Sequence, residues 1–192
     1  MRYAGREVNG NADERRREHH HGVPMMKPGE CLRRVGPLVR KDVPPILREF
    51  HYESIAFMAK LWYGNKDLHY EIWSRARLGT IEIGLHFEAD PLTNARLLAA
   101  FTANSRAIRR ALADARIEEW DRGWARVWEP LPHRKPDEQL ASELGERIAA
   151  YVTALEPILR RELPSDVAWS ESDARPARVK AAERSRASRS AR

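Results

Sequence analysis

One cysteine, Cys31, is all the chain contains, which excludes an intrachain disulfide framework and any zinc or iron-sulfur site built on several thiolates. Long apolar runs are missing as well. Nothing approaches the roughly 18 to 20 residues of a membrane-spanning helix, and no basic segment followed by an apolar stretch opens the chain. These absences predict a soluble, cytoplasmic protein that does not engage a membrane. Glycine-rich phosphate loops, HExxH, GxSxG and a His-x-Glu followed by PCxxC are absent too. A restriction-type nuclease needs strand carboxylates and usually a lysine two positions after one of them. Here the residues two after Glu71, Glu82 and Glu88 are Trp73, Gly84 and Asp90. The sequence therefore calls for no cofactor and no resident metal.

What is present begins with a charge imbalance, +6 over 192 residues, whose location matters more than its size. Residues 1–22 hold five basic and four acidic side chains, residues 23–170 hold 22 and 21, and residues 171–192 hold seven and three. The body is close to neutral and most of the excess sits at the C-terminal end. There the composition is Arg, Ala and Ser with Val179 as the only large apolar residue. Such a stretch cannot bury enough surface to offset its ordering entropy, so 171–192 is expected to be a disordered arm. It can contact phosphates nonspecifically through counterion release, or it is a solvated tail shaped by a codon bias that gives 28 Arg against 6 Lys. Residues 1–22 are expected to be a second disordered tail. Its run His19, His20, His21 lacks the scaffold a native metal site needs. Composition turns protein-like at Met25 and Met26, which predicts a translation start there. A single α+β domain is expected over 23–170.

Within that domain the clearest pattern is period two. Leu68, Tyr70 and Ile72 alternate with His69, Glu71, Trp73 and Arg75, and Ile81, Ile83, Leu85 and Phe87 alternate with Glu82, Gly84, His86 and Glu88. The short link Arg77-Leu-Gly-Thr80 makes the two runs a hairpin over 68–88. The segment 116–129 is ambiguous. Trp120, Trp124 and Trp128 would share one helix face, but Asp121-Arg-Gly123 is turn chemistry and the flanks suit strands, so a second hairpin is preferred. Amphipathic helices are expected at 45–63, where Pro44 and Pro45 start an apolar stripe; at 91–113, opened by Asp90-Pro91; and at 137–163, with Pro157 loosening its last turns. The resulting fold class is an antiparallel sheet of two hairpins packed on one face by helices.

The alternation also defines the candidate site. His69, Glu71, Glu82, His86 and Glu88 would share the sheet face that points away from the helices. Imidazoles and carboxylates at sheet spacing can serve acid-base chemistry or hold a metal, and His86 with Glu88 plus His69 or Glu71 is the sharpest version. The same alternation equally describes a solvated face, in which pairs such as Arg75 with Glu82 are merely stabilising. Trp73 and Arg75, together with Trp124, Arg126 and Trp128, form an aromatic and cationic set that could grip a partner or stack bases, unless the indoles fill the core.

The runs HYEIW, IEIGLHFEAD with Asn94 after it, IEEWDRGWARVWE and LEPILRREL, over residues 66–163, resemble a bacterial domain family of unknown function that is sometimes attached to restriction-modification or nuclease-like proteins. The resemblance implies an α+β accessory domain in a DNA-related setting and transfers no catalytic residue. The expected function is an intracellular interaction or accessory module that docks a protein partner and contacts nucleic acid through its basic arm. The alternative is a small metal-dependent hydrolase or nuclease-like enzyme on the polar face of the first hairpin.

Overall fold

The computed structural model describes residues 26–163; the expected tails and the basic arm lie outside them. The chain folds as α+β, with a six-stranded antiparallel sheet in the order β1-β2-β3-β4-β6-β5. Its strands are β1 (His51–Ser54), β2 (Met58–Trp62), β3 (Leu68–Arg75), β4 (Thr80–Phe87), β5 (Arg116–Glu119) and β6 (Ala125–Pro132). The helices are α1 (Pro28–Asp42), α2 (Pro91–Ala103), α3 (Ser105–Ala111) and α4 (Glu138–Glu162). The first four strands form a meander. The chain then crosses through α2 and α3 to the far edge, where β5 turns back and β6 inserts beside β4.

Both expected hairpins form, and the tryptophan-rich segment is strand, turn and strand. Arg122 takes a left-handed conformation (φ 60°) followed by Gly123 (φ 76°), which closes the turn between β5 and β6. The expected helix over 45–63 does not form. Pro45–Leu47 make one 3-10 turn, after which β1 and β2 extend the meander. Apolar residues in that segment fit either period, and pairing with β3 decides: Ala59 and Leu61 become 2% and 1% exposed on the core side, opposite Ile72 and Tyr70. The expected helix over 91–113 is instead two helices that meet at Asn104. The Asn104 amide donates to the Ala100 carbonyl at 2.8 Å, a local side-chain to backbone bond that competes with helix continuation. Helix α4 runs through Pro157 to Glu162. Helix α1, which sequence reading did not place, buries Cys31, Leu32, Val35 and Val39 along one stripe. No helix among the described residues is long and apolar enough to cross a membrane.

All four helices lie against the same side of the sheet. Gly36 of α1 meets the Tyr52 ring, Phe101 of α2 packs on Phe87 at 5.0 Å, and Glu156 of α4 accepts a 3.0 Å hydrogen bond from the Tyr70 hydroxyl. Ile108 of α3 is 1% exposed in the same core, as are Ile83, Leu85 and Val127 of the sheet at 0%. This apolar layer is the main stabilising mass, at about 25 cal/mol for each Å² of apolar surface withdrawn from water. The opposite face, which carries the candidate residues, has no helix over it among the described residues.

Candidate functional site

Strand register brings the polar side chains together. His69 faces His86, Trp73 faces Glu82, and Glu71 faces Gly84 across β3 and β4. From β2, Lys60 lies opposite Glu71 and Trp62 opposite His69. From β6, Arg126 lies opposite His86 and Trp128 opposite Gly84. A Cβ at Gly84 would sit 2.6 Å from the Trp128 Cβ, so only glycine lets that strand pair approach under the indole. The β5–β6 turn adds Trp120, whose ring meets His86 edge-on at 5.4 Å.

The five acid-base candidates separate into two clusters. His69, Glu71, His86 and Glu88 converge with Lys60, while Glu82 belongs to a second group. In the first, the His69 and His86 rings stack at 5.6 Å with 15° between planes, and both residues are almost fully buried, at 1% and 2% exposure. His69 Nδ1 lies 2.9 Å from the Lys66 carbonyl, which can only accept, so Nδ1 carries the proton. Nε2 of the neutral ring then accepts from Lys60 Nζ at 2.9 Å. Lys60 Nζ is also 3.1 Å from Glu71 Oε2 and 3.8 Å from Glu88 Oε2. Burial holds the His69 pKa below its usual value, and the Lys60 and His86 charges add to that against the pull of Glu71 and Glu88. Burial pushes Glu71 up, but its contacts with His69, His86 and Lys60 outweigh that and bring it to about 2. Glu88 is likewise lowered, with burial overcome by His86, His69 and Lys60. His86 Nδ1 is buried with no hydrogen-bond partner, 3.8 Å from Glu88 Oε1.

The second cluster is an ion-pair and aromatic network. Glu82 is held by Arg75 at 2.6 Å and by Arg126 at 3.1 Å. Glu118 accepts from Arg126 at 2.7 Å and from the Trp128 indole N–H at 2.7 Å. Cations lie over the rings: Arg126 over Trp128 (3.7 Å) and Trp120 (4.8 Å), Arg75 over Trp73 (4.6 Å), and Arg122 over Trp124 (5.8 Å). Arg126 and Trp128 are therefore nearly buried and mutually satisfied, whereas Trp73, Arg75 and Trp124 keep part of their surface exposed.

Three contributors escaped sequence reading. Lys60 and Trp62 lay in the segment read as helix, where the alternation of Lys60 and Trp62 with Ala59 and Leu61 was the available signal. Trp120 stands out in the sequence only through its spacing from Trp124 and Trp128. Glu129, on the helix side, is also buried. Its pKa is raised by burial against the pull of Arg147, whose Nε is 3.3 Å away.

The exposed large apolar side chains are not scattered. Of Ile46, Ile55, Phe57, Leu78 and Leu92, three lie on the β1–β2 and β3–β4 turns. These turns share one end of the sheet, since Ser74 donates its amide to the Phe57 carbonyl and Met58 pairs with Trp73. Trp73, Arg75 and Leu78 line an open depression of about 440 Å³ there. Comparison with known proteins finds no matching family model, no matching curated protein and no matching solved structure.

Proposed function

We propose that this chain is a non-enzymatic binding module that docks a protein partner at the end of its sheet where the β1–β2 and β3–β4 turns meet. The observation that carries this reading is that Ile55, Phe57 and Leu78, each more than half exposed, sit on the two turns that share this end of the sheet, with Leu78 lining the depression beside Trp73 and Arg75. Clustered exposed apolar residues beside an aromatic and an arginine are the composition of a protein-binding hot spot rather than of a solvated turn. The charges of the open face are largely paired with one another, which favours an apolar, ring-centred contact over a phosphate backbone as its ligand. A hydrolase on the first hairpin would need substrate to reach His69 and His86, and these are 1% and 2% exposed. A DNA-related setting, implied by the resemblance over residues 66–163, accords with an accessory module of this kind.

The test is a quantitative pull-down of the intact protein from its native lysate, run beside Phe57→Ser/Leu78→Ser and a control, Leu92→Ser, at the start of α2. A protein retained by the wild type and the control but reduced at least about tenfold by the double variant supports the reading, since a docking anchor contributes on the order of 1.4 kcal/mol or more. Equal capture by all three chains, or no specific capture, overturns it.

A further inference from the structure

We propose that His69, His86 and Glu88 form a binding site for one divalent first-row transition ion of the zinc type, in which the Lys60 ammonium is the resident competitor. Each of the three offers one ligand atom, and these atoms all lie within 4.8 Å of one another. Glu88 Oε1 is 3.9 Å from His69 Nε2 and 3.8 Å from His86 Nδ1. Tetrahedral ligation at about 2.0–2.2 Å places ligand atoms about 3.4 Å apart, so each Glu88 contact must close by about half an ångström and no pair by more than about 1.4 Å, which calls for a turn of the imidazoles as well as of the carboxylate.

Two features show that the imidazoles are already prepared. His69 donates its Nδ1 proton to the Lys66 carbonyl, the outer contact that metal-binding histidines ordinarily make, and this leaves the Nε2 lone pair facing the cluster. His86 is 2% exposed, yet its Nδ1 has no hydrogen-bond partner. A buried polar atom without a partner calls for an explanation, and a metal ion at the Nδ1 lone pair, in the plane of the His86 ring and beside Glu88, supplies one.

Charge gives an independent argument. Glu71 and Glu88 together bring two negative charges against the single positive charge of Lys60, whose side chain is about one-quarter exposed. A divalent ion neutralises the pair where an ammonium does not. Two imidazoles and one carboxylate select zinc, cobalt or nickel over the all-oxygen preferences of magnesium and calcium. The site joins β3 and β4 to the start of the connection into α2 and lies beneath Trp120, so the ion would clamp the open face at its strand ends. It is independent of the docking patch at the other end of the sheet.

The experiment is titration calorimetry with zinc alone on the full chain carrying His19→Ala, His20→Ala and His21→Ala, which removes the other histidine cluster in the sequence. One equivalent of zinc should bind, with no heat from magnesium or calcium. Glu88→Gln should weaken zinc at least about tenfold, and Lys60→Gln should tighten it by a similar factor. His86→Ala, checked for its fold by circular dichroism, should abolish binding. Glu88→Gln and Lys60→Gln alter solvent-reaching side chains and keep the test independent of whether His86→Ala folds. Absence of zinc heat in the parent chain overturns the proposal, and so does an affinity that neither Glu88→Gln nor Lys60→Gln changes.

Discussion

A lysine completes the buried cluster on the polar face. Lys60 reaches across from β2 to place its ammonium against His69 and two carboxylates, and in this cluster Glu71 has a pKa of about 2 against an ordinary 4.5, burial being outweighed first by His69, then by His86 and Lys60. A carboxylate held below its unfolded value stabilises the fold above pH 4.5 and loses that contribution as the pH falls toward 2. His69, lowered by burial from 6.5, acts in the same direction. Its neutral form supports the fold above 6.5, and that support is lost as acid protonates it. Glu156 is raised by burial despite Arg160, so its contribution has the opposite sign: it is present below 4.5 and lost as the pH rises through its folded value. The prediction is an acid-labile fold in which Glu71→Gln flattens the loss between pH 4.5 and 2 by up to about 3 kcal/mol. Urea midpoints measured at several pH values for both chains check it, and parallel acid limbs would refute the assignment.

Among the elements, α4 and the β1–β2 hairpin show most clearly how local rules were overridden. Pro157 lies inside α4 and is exposed, but the helix continues past it because Leu155, Glu156 and Leu159 on either side are buried in the core. Packing outweighs the lost backbone hydrogen bond and the ring's clash with the preceding turn. Pro157→Ala restores both without removing buried contacts, so it should raise stability by about 1–3 kcal/mol, read as a higher melting temperature and urea midpoint. An unchanged or lower midpoint would mean the helix is bent to suit the proline. Asp90 caps α2 by accepting from the Leu92 and Thr93 amides at 3.0 Å, as the Asp-Pro pair in the sequence implies. Helix α1 holds Gly29, Gly36 and Pro37, residue types that locally disfavour a helix, and its buried stripe against the sheet outweighs them. In the fold Gly36 leaves room for Tyr52, and a Cβ there would lie 2.8 Å from the ring.

At the scale of the whole molecule, the +6 charge resolves into a nearly neutral fold and a basic stretch, residues 171–192, outside the described residues. Nucleic-acid affinity, if carried by that stretch, is electrostatic and therefore steeply salt-dependent. Titrating single- and double-stranded DNA against the full chain and a chain ending at Leu163 should show binding that falls with salt in the first and is lost in the second. Equal, salt-insensitive affinities would remove the arm from consideration. The sequence by itself determined the period-two strands of 68–88 and 116–129, the face on which His69, Glu71, His86 and Glu88 lie, the Asp90 cap, and the long C-terminal helix, because each depends on neighbours a few residues apart. Only tertiary structure decided that residues 51–62 pair with β3 instead of coiling, that Lys60 enters the cluster, and that Glu82 leaves it for Arg75 and Arg126. Those outcomes rest on contacts between strands distant in the chain, where the competing local preferences are nearly equal and burial against a partner strand settles the balance.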